Sequence, residues 1–160
     1  MRIAGIDPGA TGAVTVYDTD LGTLEIFDTP TATVRVGTRQ VSRILPAAFA
    51  RQLQLHRVDF AALERVHAMP KQGLASTFAF GHCYGVSEGV LAALGIPYEL
   101  IEPQKWQALA RVPKGKDGSR ARAVQLFPAY AELFIRKADH GRSDAALIAY
   151  AFTQIGERAA

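Results

Sequence analysis

Short apolar runs alternate with polar turns along the N-terminal part of the chain. Arg2 to Asp7 ends at Pro8-Gly9, Gly12 to Tyr17 stops at the turn residues Asp18 to Gly22, and Thr23 to Phe27 forms a third run. Such runs, bounded by Gly, Pro and Asp and joined by short connections, predict an antiparallel meander of three strands. After a connection containing Pro, Thr and Gly, the stretch Gln40 to His56 carries Val41, Ile44, Leu45, Ala48, Phe49, Leu53 and Leu55 at close to helical spacing, which predicts a helix. Val58 to Leu63 predicts a fourth strand, with Glu64 where it stops. A helix from about Ser76 to Leu94, a fifth strand over Pro97 to Ile101 and helical pieces from Pro103 onward follow. The last of these runs from Asp139 or Ser143 to Ile155, beyond a Gly/Lys loop at Pro113 to Gly118. The pattern as a whole predicts an α/β fold: a mixed five-stranded sheet, strands 1 to 3 antiparallel, flanked by helices.

Composition narrows the setting more than the chemistry. With 160 residues, 49% hydrophobic and 21% charged, the chain is expected to form a single domain over 1–160. No apolar run approaches the roughly 20 residues that span a bilayer, and a strand-like segment begins at once, so a cytoplasmic protein is expected. Cys83 stands alone in an apolar stretch and is expected in the core. A net charge of +3 is compatible with a polyanionic partner without requiring one. Its distribution adds something: Arg111, Lys114, Lys116, Arg120 and Arg122 form one basic group, and Arg35, Arg39 and Arg43 another.

Three acids are the candidate chemistry. Asp7 ends the first strand just before Pro8-Gly9, Glu64 ends the buried fourth strand, and Asp144 lies in the Ala-rich segment Gly141 to Leu147. A carboxylate at the end of a buried strand needs a cation to balance it. Hydrolysis of a phosphodiester by two hard divalent ions needs several oxygen ligands in one small volume. Each acid also has an ordinary use: Asp7 as a turn former, Glu64 as a partner of Arg65, Asp144 as a first-turn acid favoured by the helix dipole. It is their joint placement that points to a metal site.

The opening Met1 to Gly12 with its Asp7-Pro8-Gly9, the segment Ala62-Leu63-Glu64-Arg65-Val66 and the segment Ser143 to Ala149 resemble the acidic motifs of RuvC-type Holliday-junction resolvases. Gly81, Gly85, Gly89, Gly95-Ile96-Pro97 and Glu102 to Trp106 resemble the middle of that family, so the likeness runs nearly end to end. The resemblance, with a phage or prophage member favoured, implies a ribonuclease H-like fold. It also implies a homodimer in a bacterium or phage-infected host that cuts opposed strands of a four-way DNA junction. Two Mg2+ ions per active site are implied, with Mn2+ able to substitute. Asp7, Glu64 and Asp144 match the acidic motifs. The family's fourth ligand sits three or four positions before the last Asp, where this chain has Gly141 and His140. His140, one helical turn before Asp144, is the expected fourth ligand, and Asp139 is its alternative.

Further expectations attach to the same resemblance. Gly81, Gly85 and Gly89 recur at spacing four in a helical stretch, where each Gly costs about 1 kcal/mol relative to Ala. Their smooth stripe fits either the protein's own sheet or the same helix of a second subunit. Lys71, Met69 and His67 are expected at the junction, Lys71 on phosphate and Met69 or His67 near unpaired bases. Lys114, Lys116, Arg120 and Arg122 are expected to contact phosphates beside the scissile strand, while Trp106 and Phe127 are expected in the core. Competing readings are a YqgF-like RNA-processing nuclease, a noncatalytic junction-binding protein, and an actin- or sugar-kinase-like ATPase, for which 160 residues are too few.

Overall fold

A computed structural model of the chain describes residues 1–68 and 73–157. The predicted meander is present: β1 (Arg2–Ile6), β2 (Ala13–Asp18) and β3 (Thr23–Asp28) pair antiparallel. Two further strands, β6 (Phe60–Glu64) and β7 (Tyr98–Ile101), add parallel to the other side of β1, giving a mixed five-stranded sheet in the order β3-β2-β1-β6-β7. Helices cover both faces. On one face α1 (Pro46–Leu55) and α2 (Leu74–Ala93) enclose Ala4, Ile6, Val14, Val16, Phe49, Leu53, Ala61, Leu63, Cys83 and Leu91. On the other, α3 (Pro103–Ala110), α4 (Gly118–Leu126) and α5 (His140–Glu157) enclose Ala62, Ile101, Trp106, Ala110, Phe127, Phe134 and Leu147. Cys83, Trp106 and Phe127 are thus core residues, as expected. Among the described residues no helix is long and apolar enough to cross a membrane.

The strands divide their side chains by the two-residue period of extended chain. In β6, Ala61 and Leu63 face α1 and α2, and Ala62 faces α5. In β1, Ala4 and Ile6 take the first face, and Gly5 takes the second. A Cβ on Gly5 would lie 2.1 Å from the Ala145 carbonyl oxygen and 2.4 Å from the Ala149 nitrogen. No other residue type lets α5 lie this close to the sheet. The Ala-rich run Ala145, Ala146, Ala149, Ala151 supplies the matching smooth side, fully buried.

The segment after β3 departs from expectation. The predicted helix over Gln40 to His56 is a strand followed by a shorter helix: β4 (Thr31–Val36) and β5 (Arg39–Ile44) form a hairpin of their own, and α1 begins at Pro46. Val41, Ile44 and Leu45 imitate helical spacing across this boundary. Pro46 sets the start, because its fixed φ suits the first helical turn while its ring disfavours helix in the residue before it. Gly37, at φ +61, supplies the left-handed backbone that the hairpin turn requires.

Candidate metal and nucleic-acid site

Register and face place two of the acids. Ile6 pairs with Leu63 in the parallel β1·β6 ladder, so the next residues, Asp7 and Glu64, end neighbouring strands side by side. By the same period both share the face of Gly5 and Ala62, the face covered by α5. Asp144 stands in the first turns of α5, one residue before the Ala145 carbonyl that rests on Gly5. Gly141 completes the approach: a Cβ there would lie 2.8 Å from the Thr11 carbonyl oxygen and 3.1 Å from Asp7 Oδ2. Three acids distant in sequence therefore meet at one edge of the sheet.

Their electrostatics follow from burial and from each other. Burial, with the charges of Glu64 and Asp144, pushes the Asp7 carboxyl up to about 8. Glu64 is raised chiefly by burial and further by Asp144, against a hydrogen bond from Trp106 and the charge of His140. Asp144 is raised by burial, with Ser119 and His140 pulling the other way. The Trp106 indole N–H donates to Glu64 Oε1 at 2.9 Å, and His140 Nδ1 lies 3.1 Å from Asp144 Oδ2. Asp144 Oδ1 is buried with no hydrogen-bond partner. An orphaned buried carboxylate oxygen beside two other desolvated acids is an all-oxygen donor set in need of positive charge, which fits a hard divalent cation. As they stand, no three His, Cys, Asp or Glu side chains among the described residues converge closely enough to hold one ion. Glu64 and Asp144 each have one oxygen engaged by a protein neighbour.

Asp139 is not among these groups. It is buried, accepts hydrogen bonds from the Arg136 backbone and guanidinium, and lies 3.7 Å from Arg142, so Arg136 and Arg142 hold its carboxyl below the usual range. Arg142 in turn grips Asp28 through two hydrogen bonds of 2.7 Å, fastening the start of α5 to the end of β3. His140, the next residue, is the one turned toward Asp144.

Two cavities meet at this edge. One, of about 840 Å³, is lined by Asp7, Thr11, Lys116, Arg120, Lys137 and His140 among others. The other, of about 440 Å³, is lined by Glu64, Trp106, Lys114, Lys116, Ser119, His140 and Asp144 among others. Lys114, Lys116 and Arg120 thus stand beside the acids, Arg120 also tied to Asp117 and to the Ile135 carbonyl. Arg122 is not brought to either cavity; it donates to the Ala110 carbonyl at the end of α3 and to Gln125. His67 is exposed and lines a separate cavity of about 160 Å³ with Phe80 and Tyr84. Met69 and Lys71 lie outside the described residues. Gly81, Gly85 and Gly89 are exposed, and a Cβ on any of them would meet nothing within 4 Å. The chain's own packing therefore does not require these glycines.

Trp106 is the neighbour of Glu64 that the sequence did not disclose. A buried indole needs an acceptor for its N–H, but only the fold brings Glu64, 42 residues away, within reach.

Comparison with protein-family models and with curated proteins gives no match. Solved structures do match. RuvC of T. thermophilus in complex with a Holliday-junction substrate aligns at a TM-score of 0.68 and 14% identity, covering 99% of this chain and 96% of that one. A second Thermus thermophilus RuvC structure aligns at a TM-score of 0.62 and 19% identity, covering 99% and 97%. The chain thus has the ribonuclease H-like architecture and is similar in fold, over nearly its whole length, to the RuvC structures.

Proposed function

We propose that the protein is a divalent-metal-dependent endonuclease that resolves four-way DNA junctions by paired, symmetric phosphodiester hydrolysis. The observation that carries this reading is the meeting of Asp7, Glu64 and Asp144 at one sheet edge, all raised by burial, with the orphaned Asp144 Oδ1 among them. The fold shared with RuvC supports the same reading. In it, Asp7, Glu64 and Asp144 hold Mg2+ or Mn2+, and His140 completes the set. Divalent ions held there would supply an activated water and stabilise the leaving oxygen. Trp106 fixes one oxygen of Glu64 through its N–H and so orients the carboxylate. Lys114, Lys116 and Arg120 hold the phosphates flanking the scissile bond, and His67 lies toward the crossover.

The second active site comes from a second subunit. Leu74 is 91% and Phe78 67% exposed, and they continue the line of Gly81, Gly85 and Gly89 along one side of α2. A smooth apolar stripe that the monomer leaves uncovered favours close packing against the same helix of another copy.

The test is incubation of the purified protein with a synthetic four-way junction, a linear duplex and a structured RNA, with Mg2+ or chelator. Symmetric nicks in the junction alone, abolished by chelator, are expected. Identical cleavage by wild type and Asp7→Asn would sink the proposed site, and cleavage of the RNA alone would replace the substrate.

A further inference from the structure

The hairpin β4–β5 has no role in the site described above, yet its place and chemistry suit a substrate arm. It springs from the catalytic edge. Thr29 N–H donates to the Gly12 carbonyl in the turn that follows Asp7, and Leu45 N–H closes the base of the hairpin on the Pro30 carbonyl. Thr31, its first residue, shares a cavity with Ala10, Thr11 and Gly12 of the same turn.

Residues 33–40 are exposed on both sides of the ribbon, and the hairpin pairs with no strand of the main sheet. Beyond the base pair Thr31 and Ile44, where Ile44 is buried in the core, the register divides the side chains between two faces: Thr33, Arg35, Gln40 and Ser42 share one, and Ala32, Val34, Val36, Arg39, Val41 and Arg43 the other. The second face is turned to the body of the protein at its base, where Arg43 stacks on Phe78 of α2 at 5.4 Å. The first face carries a guanidinium, a side-chain amide and two hydroxyls, the groups that bind phosphate and sugar oxygens. Residues 31–44 contain three arginines and no Asp or Glu. Among the described residues none of the three is paired with a carboxylate. A two-stranded ribbon is at best marginally stable by itself, and unneutralised like charges along it add a further cost. Polyanion phosphates relieve that cost.

We infer that the β4–β5 ribbon is a phosphate-binding arm whose tip meets a duplex arm of a nucleic-acid substrate entering the catalytic edge, with Arg35 of the first face and Arg39 of the second, both exposed beside the Gly37 turn, as its contacts. The inference rests on the proposed nuclease reading only for the identity of the polyanion as branched DNA.

Its test is binding of a labelled synthetic four-way junction in chelator, followed as salt is raised from about 50 to 200 mM. Wild type is compared with the doubly substituted Arg35→Ala/Arg39→Ala and Arg35→Lys/Arg39→Lys proteins. Each lost phosphate contact takes about 0.9 from the slope of log K against log salt, so the alanine variant should bind more weakly with a slope smaller by about 1–2. The lysine variant should restore most of the slope because it keeps the charge. Both side chains are exposed, so the melting temperature of the free protein should not move; a lower melt in the alanine variant together with a retained slope overturns the inference. An unchanged slope in that variant, or wild-type binding that ignores salt, also overturns it. If wild type binds the junction without ever cleaving it in Mg2+ and the alanine variant loses slope, the arm stands and the nuclease reading falls. If wild type cleaves and the alanine variant keeps its slope, the arm falls and the nuclease reading stands.

Discussion

Replacing Asp7 by Asn should stabilise the metal-free protein while removing its activity. The folded protein holds the Asp7 proton up to about pH 8, whereas the ordinary value is 3.8. Between these values the folded state binds more protons than the unfolded state. Asp7's contribution is therefore fully present below about pH 4 and is lost as pH rises through about 8. The interval sets a ceiling of about 6 kcal/mol. Water penetration and relaxation around a buried ion lower such ceilings, leaving about 2–4 kcal/mol. Asn keeps the shape beside Gly141 and carries no charge. At pH 8.5 in chelator the variant should melt about 5–10 °C above wild type, at about 2–4 °C per kcal/mol for a chain of this size. Near pH 4 the two curves should coincide. Adding Mg2+ to about 100 times its dissociation constant should raise wild type by about 2.7 kcal/mol and leave the variant where it was. Thermal melts across pH 4 to about 9 read all three. Melting curves that stay parallel across that range, or a variant less stable than wild type at high pH, would refute the account of three acids held uncompensated at one edge.

Other substitutions separate positioning from packing. Trp106→Phe keeps the ring in the core but removes the N–H that holds Glu64; a loss of about 10–100-fold in metal affinity or cleavage is expected, read by Mg2+ titration, with junction binding retained. Gly5→Ala forces a Cβ onto the backbone of α5 and should destabilise the fold by about 3 kcal/mol or more, seen by urea unfolding. Gly85→Arg has open space within the monomer, so it should leave the melt of the subunit intact while shifting sedimentation toward monomer. His140→Ala should weaken Mg2+ binding less than any of the three acid substitutions, measured by calorimetry, because the imidazole is more than half exposed.

Much of the sheet was legible because its strands have buried faces. The runs of β1, β2 and β6 are apolar because helices or neighbouring strands cover them, and Asp7 and Glu64 were visible as acids at the ends of such runs. The β4–β5 hairpin was missed although Ala32, Val34 and Val36 alternate with Thr31, Thr33 and Arg35, because its Thr, Gly and Arg residues read as a connection. Val41, Ile44 and Leu45 then joined the next helix in the apparent pattern, although Pro46 marked its true start. His140 was ranked ahead of Asp139 on helical spacing from Asp144 alone. What spacing does not convey is that Arg136, three residues before Asp139, engages that carboxylate through its backbone N–H and its guanidinium. The Trp106 to Glu64 bond depends on the parallel stacking of β6 and β7 and on α3 following directly, none of which a spacing of 42 residues conveys.

The close seat of α5 on Gly5 has a consequence for how variation in this protein would be scored. Asp144 is one residue from the carbonyl that rests on Gly5, and Gly141 rests on the turn that carries Asp7, so the spacing of the acids is set by two positions that have no side chain. A saturation screen for cleavage would rank Gly5 and Gly141 with the acids, as intolerant of every replacement. Abundance of the folded protein in the same cells would part the two groups. Replacements at Gly5 and Gly141 would lower it, whereas neutral isosteres of Asp7 and Asp144 would not.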